Sequence, residues 1–250
     1  MNTVEAARGP AGRDGWGLVA AKGAFLLIVL VMAFALAAVA PLPLWSTSLA
    51  VGLVTGAVLL AFHAYGTADA RGPAGRFGLA NWVTLFRLNL VALMLLALWP
   101  DAGSARLFWL LFAMAAIALA LDGVDGWLAR RRREASRFGE RFDMGADTAF
   151  TIIVTLCLVR LELVGPWVIL IGLMRPAFVA AARFWPRLAV PLAPSRGRKL
   201  ACGLALGLLV AGLAPILAPL APQLAFAALA VLAWSFGRDL RCLLARGAAA

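Results

Sequence analysis

Charged side chains are scarce in this sequence, and acidic ones scarcer still. Only 14% of the 250 residues are charged, with 12 Asp and Glu against 23 Lys and Arg. A soluble domain carries roughly a quarter of its residues charged and about 45–50% apolar, whereas 64% are hydrophobic here. That excludes a soluble globular enzyme and leaves a polytopic membrane protein. Histidine is almost missing: His63 is the single one, beside Tyr65 at the end of an apolar run. No histidine pair for metal or proton chemistry can form, and an interfacial packing role remains. Cysteine is limited to Cys157, Cys202 and Cys242, scattered through apolar segments. A disulfide framework or thiolate metal site needs clustering, so buried structural thiols are expected. The net charge of +11 would point to nucleic acid in a soluble chain. Here the basic residues occupy short loops between apolar runs, where they set topology, and no nucleic-acid partner is implied.

What the chain has in abundance is apolar runs. A spanning helix needs about 20 mostly apolar residues, and eight candidates are present, at 23–40, 48–66, 82–99, 106–128, 142–161, 166–185, 200–219 and 223–243. Pro41, Pro43, Pro100, Pro166, Pro186, Pro191, Pro194, Pro219 and Pro222 fall near their boundaries, as helix breakers should. With the N-terminus cytoplasmic, the inner side receives Arg8, Arg13, Lys22, Arg71, Arg76, the basic cluster within 130–141, Arg183, Arg187, Arg196, Arg198, Lys199, Arg238, Arg241 and Arg246. The outer side keeps Arg106 and Arg160. The positive-inside rule therefore predicts an all-α, polytopic membrane bundle of eight spans with both termini cytoplasmic. Residues 1–22 form a cytoplasmic segment ahead of the spans. The first run ends in Ala-Val-Ala, a pattern shared with signal-peptide cleavage sites. The long leader with two acids, and Pro41 just after the cut, favour an uncleaved helix. Gly52/Gly56 and Gly203/Gly207 have GxxxG spacing, read as close helix packing, with dimer contact as the other option.

Against this background one stretch stands out: LDGVDGWLARRRREASRFGERFDMGAD, Leu121 to Asp147. Asp122 and Asp125 lie three apart near the cytoplasmic end of the fourth span. Asp143 and Asp147 lie four apart at the start of the fifth. Each spacing puts both carboxylates on one helix face, so a third of the chain's acids converge at one membrane boundary. Four neighbouring carboxylates repel one another and resist desolvation. Divalent cations resolve the conflict: hard oxygen ligands suit Mg²⁺, Mn²⁺ or Ca²⁺, and four can hold two ions, as in two-metal sites for phosphoryl chemistry. Gly126 and Gly139 leave room where a ligand must come close, and Ala129 keeps the next turn small.

The pattern Asp122-x2-Asp125-Gly126-x2-Ala129-Arg130-x8-Gly139-x3-Asp143-x3-Asp147 resembles the complete signature of the CDP-alcohol phosphotransferases. Asn81-Trp-Val-Thr84-Leu-Phe-Arg87 at the third span is similar to the NxxTxxR-like opening of the family's first core helix, and Ser136 stands three residues before Gly139 as the family's Ser/Thr does. The resemblance implies a six-helix core over 79–246; the two additional helices within 23–66 lie outside it. It implies transfer of a phosphatidyl group from CDP-diacylglycerol to a polar alcohol acceptor, with release of CMP. Asp122, Asp125, Asp143 and Asp147 would bind two divalent cations, Mg²⁺ or Mn²⁺, with Asp147 also the general base. Asn81, Thr84, Gly126, Ala129, Arg130, Ser136 and Gly139 would contact the CDP-lipid. A homodimer in the bacterial cytoplasmic (inner) membrane, its active site facing the cytoplasm, is implied as well.

The acceptor is less defined. Arg175 lies within the sixth span, where an arginine is costly and usually functional. Arg183, Arg198, Lys199 and Arg238 lie near the same side. They either line a pocket for an anionic acceptor or, Arg175 aside, snorkel to the interface. Family members that make phosphatidylglycerophosphate resemble this pattern, but Pro176 follows Arg175, and Gly197-Arg198-Lys199-Leu200-Ala201 replaces a GKxKT-like element. Glycerol 3-phosphate is the leading expectation, with other polyol phosphates and head-group alcohols open. The rival from another class is a transporter or ion pathway using the aspartates. A transport path places its polar groups near the midplane, whereas these lie at one boundary.

Overall fold

The computed structural model describes Gly52 and Gly56, both helical, and residues 79–97, 105–132, 137–185 and 196–247. The first two expected spans and His63 lie outside the described residues. Six helices follow in order: α1 (Leu79–Ala97), α2 (Ala105–Arg132), α3 (Arg137–Arg160), α4 (Ile169–Phe184), α5 (Arg196–Gly212) and α6 (Ala221–Gly247). They answer to the third through eighth expected spans, and no strand occurs among the described residues. Among the described residues, four stretches are long and apolar enough to cross a membrane: Arg106–Val124, Phe138–Arg160, Pro166–Phe184 and Ala218–Arg241. A fifth, Leu79–Leu95, is apolar but shorter.

α1 packs along α2 and α3, α3 also holds α4, and α5 pairs with α6 while touching α2 and α3. α3 is thus the central element. Its buried stripe of Phe150, Val154, Cys157 and Leu158 meets Met94 of α1, Leu111 of α2 and Leu209 of α5. Large apolar side chains remain exposed on the outside of the bundle, among them Leu170, Val179, Leu200 and Phe226. In a membrane such faces meet lipid, so burial inside the protein comes from helix-to-helix packing rather than from expulsion of water.

Two boundaries differ from expectation. α3 begins at Arg137, a turn and more ahead of 142, so Asp143 and Asp147 stand in its second and third turns. α5 stops at Gly212 instead of running to 219. Pro215 explains the stop: its ring and missing N–H forbid continuation, and it drives Ala214 out of helical geometry. A turn and the short 3-10 helix Ala218–Leu220 follow.

The glycine spacing read as close packing is also corrected. A side chain at Gly52, Gly56, Gly203 or Gly207 would meet nothing within 4 Å. The glycine that does bring two helices together is Gly172 of α4. A Cβ there would lie 3.0 Å from Ile152 Cα and 3.1 Å from Thr155 Oγ1 of α3. Of the cysteines, Cys157 is buried as expected, but Cys202 is exposed, one residue from the buried Ala201 that faces the bundle.

Candidate active site

α2 ends and α3 begins on the same side of the bundle, and this is where the aspartates gather. Asp122 sits near the end of the apolar part of α2, two residues before Val124. One carboxylate oxygen from each of Asp122, Asp143 and Asp147 can be chosen so that all lie within 4.8 Å of one another. All three carboxylates are partly open: their side chains are 35%, 43% and 33% exposed. Asp125 lies one turn after Asp122 on α2, its side chain outside the described residues.

The cluster has a fourth member that composition and spacing did not single out. Arg87 of α1 is wholly buried, the largest fully buried side chain among the described residues. Its Nη1 donates to Asp122 Oδ1. Its Nη2 donates to Asp143 Oδ1 at 2.7 Å and lies 3.1 Å from Asp147 Oδ1. This last contact lacks hydrogen-bond geometry, so Asp147 Oδ1 is buried without a hydrogen bond. Helix periodicity accounts for the reach: Thr84 and Arg87, one turn apart on α1, share a face, and α1 packs against both α2 and α3. Arg87 belongs to the Asn81–Arg87 segment, but nothing local names its partners. Its partners are 35 and 56 residues away. An ionisable residue inside an apolar helix was the signal that could have found it.

Three hard oxygen donors at this separation fit a divalent cation of the Mg²⁺ or Mn²⁺ type. The buried Asp147 oxygen with no hydrogen bond is a further fit, since an unsatisfied buried acceptor is costly unless something takes its lone pairs.

Residues 77–237 match the family profile described as CDP-alcohol phosphatidyltransferase, well over half of the chain. This chain belongs to that family. Over 114 residues it is 31% identical to a Yersinia pestis (strain Pestoides F) protein named CDP-diacylglycerol–glycerol-3-phosphate 3-phosphatidyltransferase. Similarly named proteins of Sodalis glossinidius (strain morsitans) and Pectobacterium atrosepticum are 30% and 32% identical over the same length. Each match covers 44% of this chain, and the chain spans about 60% of the length of these relatives.

The other positions expected from the family signature fall as follows. Asn81 and Thr84 are buried on α1, and the Thr84 hydroxyl donates to the Ala80 carbonyl at 3.1 Å. Gly126, Ala129 and Arg130 continue α2, the side chains of Ala129 and Arg130 lying outside the described residues, as does Ser136 entirely. Gly139 stands in the first turn of α3.

The basic residues divide into two groups. Arg175 is half-buried on α4, near enough for its charge to bear on Asp143. Arg183 and Lys199 are exposed. Arg198 and Arg238 share Asp239 of α6, at 3.7 Å and 3.9 Å. Arg238 also lies over the Trp234 ring, 5.2 Å from its centre. Asp239 was not foreseen. It is the acid that links the start of α5 to α6. α5 itself packs against α2 and α3, the two helices that carry the aspartates.

Proposed function

We propose that this protein is a metal-dependent phosphatidyltransferase that moves a phosphatidyl group from CDP-diacylglycerol to a polar alcohol, releasing CMP. The observation that carries the proposal is the convergence of Asp122, Asp143 and Asp147 from two helices, at the end of an apolar bundle, in a chain of this family. Asp122, Asp125, Asp143 and Asp147 are the residues that would hold two divalent ions. When bound, such ions neutralise the donor's pyrophosphate and the charge that develops on the departing CMP.

The chain's own residues do the rest. An alcohol is a poor nucleophile at neutral pH, so a positioned base is needed, and Asp147 takes the proton from the acceptor hydroxyl. The alkoxide oxygen attacks the lipid-side phosphorus, the bond from that phosphorus to the bridging oxygen breaks, and CMP leaves with the electron pair. Asn81, Thr84, Gly126, Ala129, Arg130, Ser136 and Gly139 hold the nucleotide end. The acyl chains stay beside the exposed apolar faces, in lipid, while the head group enters the cleft. Arg175, supported by Arg183, Arg198, Lys199 and Arg238, receives an anionic acceptor. Glycerol 3-phosphate is our leading assignment, in line with the names of the curated relatives. The catalytic unit is the six-helix core over 79–246, acting as a homodimer in the bacterial cytoplasmic membrane with its site toward the cytoplasm.

The test is direct. Purified protein given CDP-diacylglycerol, Mg²⁺ or Mn²⁺ and a panel of acceptors should release CMP, and mass spectrometry of the lipid product names the acceptor. Asp147→Asn should lower turnover at least about 100-fold, the ordinary worth of a general base, with the thermal midpoint nearly unchanged. Near-native turnover in that variant would remove Asp147 as the base. Turnover that survives chelation of divalent ions would remove the metal assignment.

A further inference from the structure

Arg87 is the feature that the proposed chemistry leaves without a task. A wholly buried guanidinium in an apolar helix is expensive unless fully partnered, and this one meets three carboxylates. Those carboxylates are the ones proposed to hold metal. For Asp122 and Asp143, one of the two carboxylate oxygens open to a divalent ion is the oxygen that Arg87 already hydrogen-bonds. Mg²⁺ sits at about 2.0–2.1 Å from its ligand oxygens, so an ion and a guanidinium nitrogen cannot share the same lone pairs without two cations in contact. When ionised, the three carboxylates also outnumber the single guanidinium charge, so the cluster still attracts a cation while Arg87 is in place.

We propose that Arg87 is a positioning residue: its guanidinium is the built-in counter-charge that gathers Asp122, Asp143 and Asp147 when no metal is bound, and a divalent ion enters the cluster in competition with it. The proposal rests on the metal assignment above. Arg87 keeps two helices' worth of carboxylates at one point in the ion-free protein, and it sets the metal affinity lower than the bare carboxylates would. Ion entry displaces the Nη contacts, and ion loss restores them, so the carboxylates always have at least one counter-charge among them.

The experiment is a metal titration without lipid substrate, on the full chain in detergent micelles. Binding of Mn²⁺ is read by loss of the free-ion electron paramagnetic resonance signal, and thermal unfolding is followed in chelator and in Mn²⁺. Arg87→Gln should bind Mn²⁺ about tenfold more tightly than the wild type, within the ordinary range of coupling between sites. It should unfold several degrees lower in chelator and regain more on adding Mn²⁺ than the wild type does. Should Arg87→Gln not fold, Arg87→Lys carries the test. One ammonium cannot span the carboxylates as the planar fork does, so Mn²⁺ affinity should rise about fivefold, the low end of the same coupling range. Equal or weaker Mn²⁺ binding in the variant, with clear binding by the wild type, overturns the role of Arg87 and leaves the metal assignment standing. Absence of Mn²⁺ binding by both proteins overturns the two together. An equal loss of stability in chelator and in Mn²⁺, with affinity unmoved, assigns Arg87 to packing alone and likewise overturns the proposal.

Discussion

Two arginine environments in this protein show how much burial decides what a charge does. Arg87 is sealed and held by the cluster at short range, whereas Arg198 and Arg238 meet Asp239 at 3.7 Å and 3.9 Å with their own side chains 31% and 39% exposed. Long, solvent-touched ion pairs contribute between nothing and about 1 kcal/mol. Asp239→Asn should therefore shift stability by no more than about 1 kcal/mol, visible as a nearly unchanged midpoint in thermal unfolding. Its kinetic effect should be larger. With Asp239 neutral, its pull on Arg198 and Arg238 is lost, so KM for a phosphate-bearing alcohol should fall while KM for CDP-diacylglycerol stays put. A rise in acceptor KM would mean that Asp239 orders the pocket and that the arginines do not bind the acceptor freely. The same contrast explains what was legible at this scale. The aspartates announce themselves, because four acids at helical spacing are conspicuous in a chain with 12 in all. Arg87 and Asp239 do not, because each is defined by partners on other helices.

Among the helices, the contact between α3 and α4 governs how the candidate acceptor side meets the carboxylates. Gly172 stands one turn before Arg175, and a Cβ there would press on Ile152 Cα at 3.0 Å, a backbone atom that cannot rotate away. Pro176 lies inside α4 and leaves the Gly172 carbonyl without its usual helical donor, so this turn is held by packing more than by its own hydrogen bonds. Gly172→Ala should push α4 outward and cost about 1–3 kcal/mol, the usual penalty of overpacking, read as a lower thermal midpoint with a raised acceptor KM. Gly203→Ala is the control: nothing lies within 4 Å of its Cβ position, and the change should stay within about 0.5 kcal/mol or stabilise, as alanine favours helix. An equal cost at both positions would sink the close-contact argument. Four of the expected spans were readable at this scale, because hydropathy is a property of the segment itself. The end of α5 was misplaced because Pro215 lies within an otherwise apolar run. Gly172 could not be told from 24 glycines, since a close approach depends on the neighbouring helix.

For the whole molecule, the decisive quantity is which end of the bundle faces which side of the membrane. Arg106 and Arg160 lie exposed at one end, at the start of α2 and the end of α3. The other end carries Arg131, Arg183, Arg198, Lys199 and Arg238 together with the aspartate cluster. It also carries two exposed tryptophans, each with an arginine one turn further on lying over its ring: Trp127 with Arg131 at 5.0 Å, and Trp234 with Arg238 at 5.2 Å. Rings that are apolar in body and polar at the rim belong at a membrane interface, and cation–π contact keeps the arginine beside the ring there. By the positive-inside rule the excess of positive charge predicts a cytoplasmic position for this end, the side on which the proposed reaction would meet a water-soluble acceptor. The assignment is measurable with single cysteines in a background where Cys157, Cys202 and Cys242 are replaced by serine. Glu140 is exposed in the first turn of α3, and Glu162 is exposed in the turn after it. Glu162 has φ 57°, a conformation already borne there by a side chain, so a cysteine adds little strain. In right-side-out vesicles a membrane-impermeant maleimide should label Glu162→Cys and spare Glu140→Cys, and in inverted vesicles the pattern should reverse. Labelling of Glu140→Cys from the outside would place the carboxylates on the wrong side for a cytoplasmic acceptor, and the positive-inside reading would fall with it.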